Sequence, residues 1–193
     1  MQVEGGKVDW AAHANDAPAL IYDQVDFDEA LAVALAFAAE DGETLVVATT
    51  DHGNANPGLF YGSKANQNFE KLFSTTATNE WVLNQITQNY TPAQVIELIE
   101  AKQRIVLNEE DARAILSRYN KDSKELYNPG NLPFADFAAM QAKHTNVQWA
   151  GTNHSADHVE LAMFGPGAEA MPHFMENYRM HQFLLEAAGV VAG

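Results

Sequence analysis

Asp51 and His52 stand side by side at the end of an apolar, β-branched run, Thr44-Leu45-Val46-Val47-Ala48-Thr49-Thr50. A carboxylate beside an imidazole can ligate a divalent cation. In open α/β sheets, ligands bind beyond the carboxyl ends of the strands, which is where this pair falls. Gly53 follows and lets backbone approach an ion closely. Upstream, Asp9 and His13 are four residues apart, so on a helix they share one face and one cation can meet both. Carboxylate oxygen and imidazole nitrogen bind zinc at about 2.0–2.2 Å. A further imidazole, His154, lies downstream in Thr152-Asn153-His154-Ser155-Ala156-Asp157-His158. Glu4, after a short apolar stretch, offers a carboxylate suited to a harder cation such as Mg²⁺. Each fragment alone has a plainer reading. Asp-x-x-x-His also describes an exposed helix face, Asp-His-Gly an Asx turn, and Glu4 a loop acid.

The remaining histidines carry less. His154 and His158 are spaced for one helix face, but Val159 onward reads as strand, so the two need not converge. His144, His173 and His181 have no acidic partner at metal spacing and read as structural or exposed.

The elements that must position these groups alternate. Val8 to His13 predicts a helical turn, and Ala17 to Val25 a helix that tolerates Pro18 in its first turn. Asp26-Phe27-Asp28-Glu29 has the pattern of a cap opening a second helix that runs to about Ala39. Leu31, Leu35 and Ala38 mark its apolar face, broadened by Ala34 and Phe37, and Gly42 stops it. Leu45 to Thr49 predicts a strand covered on both faces, as in a parallel sheet. Residues 54–146 are rich in Asn, Gln and Thr. They predict short helices over 64–73, 79–88, 92–102, 109–119 and 134–143, with starts at Thr91 and Asn108 and a turn at Asn128-Pro129-Gly130-Asn131. The alternation resumes with strands at 147–150 and 159–164, a stop at Gly165-Pro166-Gly167, and a closing helix over 177–188. Phe183, Leu184 and Ala187 form one side of that helix, and Gly189 ends it. The pattern predicts an α/β domain from residues 1–53 and 147–193, interrupted by a mainly helical insertion over 54–146 at the mouth of the site.

The chain has 193 residues, enough for one sizeable core. Acidic residues outnumber basic ones 26 to 11, for a formal charge of -15. Such a surface repels nucleic acid and anionic membranes. It also repels a phosphate-bearing substrate unless bound cations reverse the local field. Solubility is the plainer reason for the acidity. The absence of cysteine excludes thiolate chemistry and disulfides. No apolar run approaches the ~20 residues that span a bilayer. The opening Met1-Gln2-Val3-Glu4-Gly5-Gly6 has no signal-peptide pattern. It reads as a strand end entering a functional turn, the expectation for a fragment.

Val3-Glu4-Gly5-Gly6-Lys7-Val8-Asp9-Trp10-Ala11-Ala12-His13 resembles the V-E-G-x-x-[IV]-D-x-x-x-H segment of alkaline phosphatases. Thr49-Thr50-Asp51-His52-Gly53 resembles their T-[AT]-D-H strand end. His154-Ser155-Ala156-Asp157, with Val159 to Gly167, resembles their H-[TS]-x-x…G-P-G block. The blocks occur in the family's order and cover residues 1–53 and about 147–193. The resemblance implies a partial three-layer αβα sandwich and phosphate monoester hydrolysis with two Zn²⁺ and one Mg²⁺. It implies that Asp9, His13 and His154 hold the zinc that activates the hydrolytic water. His154 is chosen over His158 by its distance to Gly165-Pro166. Asp51 and His52 would hold the zinc that activates a serine nucleophile, and Glu4 would hold magnesium. Trp10 stands where the family varies between basic residues and tryptophan; lining a phosphate pocket and simple packing both fit it.

The resemblance further implies a phosphoserine intermediate, a periplasmic or secreted location, and family-typical homodimers. It places the nucleophile, a bridging aspartate, a magnesium-binding threonine and a phosphate-holding arginine in a half that precedes these residues. Ser63, Ser74, Ser117, Ser123 and Ser155 do not replace the nucleophile. This chain alone is expected to bind zinc weakly and to turn over phosphate esters negligibly. Two alternatives are a non-catalytic metal-binding remnant and a related metal-dependent phosphodiesterase or sulfatase.

Overall fold

The computed structural model describes residues 1–119 and 132–190; the expected turn at 128–131 and Ser123 lie outside them. Two compact units divide the chain. One comprises residues 1–24 and 54–155, the other 25–53 and 156–193. These cuts differ from the compositional boundaries, because residues 1–24 group with the helical segment.

The first unit begins with α1 (Gly6–His13). Ala11 and Ala12 form its buried face, and their small side chains let the helix seat closely. Asp9 and His13 occupy a half-exposed face. Asn15 adopts a left-handed conformation with φ 47°. Its N–H donates to the Ala12 carbonyl and that of Asp16 to the Ala11 carbonyl, each at 2.9 Å. This is a Schellman closure with asparagine in place of glycine. Asp16 then starts α2 (Ala17–Asp41), its carboxylate accepting from Ala19 N at 3.0 Å.

That start corrects the expected cap at Asp26. No glycine interrupts Ala17–Asp41 and Pro18 sits in the first turn, so one helix runs through where two were expected. Gly42, at φ 71°, follows its end.

α4 (Asn79–Gln85), α5 (Pro92–Gln103), α6 (Glu109–Leu116) and α7 (Phe134–Thr145) build the core. α5 and α6 follow the expected starts, capped by Thr91 and Asn108, with Thr91 forming a capping box with Gln94; Thr78, not singled out from the sequence, caps α4. α3 (Ala65–Glu70) is shorter than expected and continues as a 3₁₀ turn, Lys71–Ser74. Val82, Leu83, Ile86, Val95, Ile99, Ile115 and Phe137 are fully buried between these helices. Each such side chain contributes about 1.5–3 kcal/mol relative to exposure. Two short strands flank this core. β3 (Pro57–Leu59) pairs antiparallel with β4 (Val147–Trp149), Gly58 opposite Gln148. β2 (Gly53–Asn54) and β5 (His154–Ser155) are two-residue extended segments.

A polar cluster lies inside the same unit. Asn15, Asp16, Asn79, Gln103 and Gln141 are all buried. Asn79 Nδ2 donates to the Asn15 carbonyl at 3.1 Å. Asn79 Oδ1 accepts from Gln103 at 2.9 Å and from Gln141 at 2.8 Å, and Gln141 donates to Gln103 Oε1 at 2.8 Å. Asp16 accepts a second backbone bond, from Asn79 N. The helical core is thereby wired to the end of α1.

The second unit holds most of α2 with β1 (Val46–Thr49), β6 (Leu161–Phe164) and α8 (Met180–Ala187). β1 pairs antiparallel with β6, Val47 opposite Met163. This corrects the parallel pairing expected for a strand covered on both faces: Val46 to Ala48 are only half-buried. An apolar, β-branched run records burial and not the direction of its partner. Gly165 follows β6 with φ 108°, and a Cβ there would meet the Thr44 carbonyl oxygen at 2.2 Å, so glycine is required. Ala38 is the buried hydrophobic side chain among this unit's described residues. Phe37 and Leu184, expected on apolar faces, are 61% and 40% exposed.

Two outcomes follow. Hydrogen exchange should find amides of α4–α7 protected to near the global unfolding free energy, and those of β1, β6 and α8 exchanging much sooner. The second concerns Asp16, whose carboxyl is raised above the ordinary 3.8, chiefly by burial, with Asp23 adding to the rise. The folded state therefore binds this proton more tightly than the unfolded one. The residue's contribution is most favourable below 3.8 and is lost as pH rises through the elevated folded value. Urea midpoints of the native chain should fall across that window relative to those of Asp16→Asn.

Candidate metal centre

α1 and β5 bring Asp9, His13 and His154 together within the first unit. One ligand atom from each lies within 4.8 Å of the other two. His13 Nε2 is 3.1 Å from His154 Nε2 and 3.5 Å from Asp9 Oδ2, and His154 Nε2 is 3.9 Å from Asp9 Oδ1. A tetrahedral ion with bonds of about 2.0–2.1 Å holds its ligand atoms about 3.3 Å apart, so these separations bracket the requirement.

The surroundings orient the ligands. His13 Nδ1 is 2.7 Å from the Thr152 carbonyl oxygen, which can only accept. The proton therefore sits on Nδ1, and neutral His13 presents a lone pair at Nε2, toward the other two residues. Asn15 Nδ2 donates to the neighbouring Gly151 carbonyl at 2.8 Å. The two bonds bind the end of α1 to the irregular segment that leads to His154. Asn54 Nδ2 donates to Asp9 Oδ1 at 2.6 Å and to the Asp9 carbonyl at 3.2 Å. The Asp9, His13 and His154 side chains are 36%, 38% and 53% exposed, so the group is open on one side. Two nitrogens and one oxygen with an open side suit zinc in a site that keeps a position for water or substrate.

The other expected residues are not members of this three-residue group. Asp51 and His52 belong to the second unit. His52 Nδ1 donates to the Gly53 carbonyl at 3.1 Å, and its Nε2 is 3.5 Å from Asp51 Oδ2. Both residues can thus face one ion. Glu4 is exposed just before α1, its Oε1 folded toward Gly6. Trp10 follows Asp9 on α1 and is 70% exposed, so packing does not account for it. His158 stacks edge-on against Phe174, with ring centroids 5.3 Å apart. His144 is half-buried, and burial with Lys71 nearby draws its pKa below the ordinary 6.5. His173 and His181 are exposed.

Asn54, Asn15 and the Thr152 carbonyl were not singled out from the sequence. Asn54 falls one residue past the Asp51-His52-Gly53 block, at the compositional boundary, and a turn asparagine carries no ligand signal of its own. Asn15 is at a helix-end position where asparagine is common, and a carbonyl carries no sequence signal at all.

The chain is 26% identical to alkaline phosphatase 4 of Bacillus subtilis (strain 168), a match covering 92% of this chain and 36% of that protein. The crystal structure of Thermus thermophilus alkaline phosphatase superposes with a TM-score of 0.87 at 25% identity, over 99% of this chain and 43% of that one. A cold-active alkaline phosphatase from Shewanella sp. shares the fold with a TM-score of 0.68 at 16% identity. The chain thus spans well under half the length of these relatives. The alkaline phosphatase family profile matches residues 1–190, through the trio, the Asp51-His52 strand end and the helices between them, and the chain belongs to that family.

Proposed function

We propose that Asp9, His13 and His154 hold one zinc ion of a phosphate monoesterase, that Asp51 and His52 ligate a second, and that Glu4 contributes to a magnesium site. The observation that carries this reading is the convergence of three metal-type ligand atoms within 4.8 Å in a chain of this family. Bound zinc supplies Lewis acidity to a phosphoryl oxygen and lowers the pKa of a coordinated water. This chain's own residues do the holding. Asp9 contributes negative charge, and Asn54 occupies one of its two oxygens. His13 presents Nε2 because Thr152 takes its Nδ1 proton. His154 closes the set from β5, and the exposed Trp10, next to Asp9 in sequence, lines the proposed phosphate pocket. In the whole protein the proposed reaction runs through a serine nucleophile and a phosphate-binding arginine outside these residues. The proposed setting is the periplasm or the exterior, with a homodimer as the family's assembly. No helix among the described residues is long and apolar enough to cross a membrane.

Zinc affinity, measured by competition with a chromophoric chelator, tests the assignment. Asp9→Ala and His154→Ala should each weaken binding at least about tenfold, since each removes one of three ligands. His158→Ala should leave it unchanged. Equal affinity in native and His154→Ala chains would remove the first zinc site. With zinc and magnesium at alkaline pH, the 193 residues alone should hydrolyse an aryl phosphate negligibly, because groups that act as a unit leave no proportional residual rate. Turnover abolished by Asp51→Ala or His154→Ala would overturn that expectation.

A further inference from the structure

We infer that Asn54 is a positioning residue for the cation site, fixing which oxygen of Asp9 meets the metal; this rests on the zinc reading above. Its Nδ2 reaches Asp9 Oδ1 at 2.6 Å. The amide cannot be reversed, because two oxygens would then face each other at that distance. In this orientation Asn54 Oδ1 is buried with no hydrogen-bond partner among the described residues. A buried acceptor without a partner is a cost to folding. An asparagine kept there for its own satisfaction would not leave half its amide unpaired, so the donor half is the part with a role. With Oδ1 committed to Asn54, Asp9 Oδ2 is left as the ligand atom, on the side of His13 Nε2.

The backbone that carries Asn54 supports the same reading. Ala55 and Asn56 follow it with φ of 54° and 44°, two successive non-glycine residues in the left-handed region. Such strain persists only where the surroundings over-determine it. Here they do. Ala55 is buried, its N–H donates to the Asn153 carbonyl at 2.9 Å, and its own carbonyl accepts from Ala150 N at 3.0 Å. Ser155 Oγ donates to Asn56 Oδ1 at 2.8 Å. The turn is therefore fastened to the residues on both sides of His154 while its first side chain grips Asp9. One strained turn sets the distance between a carboxylate on α1 and an imidazole before β6.

The test uses the full 193-residue chain with Zn²⁺ in a chelator competition and Co²⁺ as a spectroscopic substitute. Asn54→Ala should weaken zinc binding about 10- to 100-fold, the usual loss for an outer-shell partner of a metal ligand. It should also alter the visible Co²⁺ spectrum while the urea midpoint of the metal-free chain stays close to native. Asn54→Gln, which retains the amide donor, should recover part of the affinity. If the alanine variant does not fold, Asn54→Leu decides, because it keeps the volume and removes both the donor and the orphaned oxygen; the same loss is expected. A folded Ala or Leu variant with zinc affinity within about threefold of native and an unchanged Co²⁺ spectrum would overturn the inference. So would an affinity loss matched by a fall in metal-free stability with the spectrum unchanged. His154→Ala in the same assay separates the two readings. If it lowers affinity and Asn54→Ala does not, the Asn54 assignment alone fails; if His154→Ala has no effect, the zinc reading fails and takes this one with it.

Discussion

Two side chains at the end of α1 reach across the sequence to consecutive carbonyls: His13 to Thr152 and Asn15 to Gly151, separations of 139 and 136 residues. The candidate site depends on this pair of bonds. It fixes the imidazole's tautomer, ends the helix in a defined place, and brings the segment bearing His154 against the face bearing Asp9. A carbonyl in the irregular run 150–153 needs a donor unless water supplies one. The two donors come from the helix that also carries two of the three ligands, so pairing the backbone and assembling the ligands are a single act.

Behind that junction the buried amides of Asn79, Gln103 and Gln141 form a closed arrangement in which every member donates and accepts. Interior polar groups are tolerable when satisfied and costly when one partner is missing. Asn79 touches the chain on both sides of the junction: its side chain donates to the carbonyls of Ala14 and Asn15, and its backbone N–H serves Asp16. The apolar core of α4–α7 supplies the free energy of burial, and the amides convert it into a fixed position for α1. A purely apolar contact would have given similar stability without specifying where the helix end must lie. These helices are thus, in this structure, the support on which the candidate trio stands.

What could be read from the sequence follows from what kind of signal each feature leaves. The convergence of Asp9, His13 and His154 was legible because metal-type side chains are chemically distinctive and their order resembles that of a family. The starts of α5 and α6 were legible because Thr91 and Asn108 cap locally, within three residues. Asp26 offered the same local signal and lost, because Asp16 already caps the helix and nothing between Ala17 and Asp41 stops it. The direction in which β1 pairs was not legible, since Val46 and Val47 read alike in either kind of sheet. Nor were the roles of Asn54 and Thr152, which exist only once residues more than forty positions apart are in contact.

The charge distribution bears on the chemistry last. With a formal charge of -15, this surface opposes the approach of a phosphate ester, the proposed substrate, and the trio adds one more carboxylate. Imidazoles that ligate a cation do so uncharged and do not offset this. A divalent cation does, since it introduces the largest local charge and inverts the sign of the field at short range. The acidic surface and the open N, N, O group therefore make sense together: the protein's own charge favours capture of cations, and the cations then favour the anionic ester. Beyond about one Debye length the acidic surface is screened, while at ligand distance the ion dominates. Under the proposed reading, affinity for phosphate is then confined to the few ångströms around Asp9, His13 and His154.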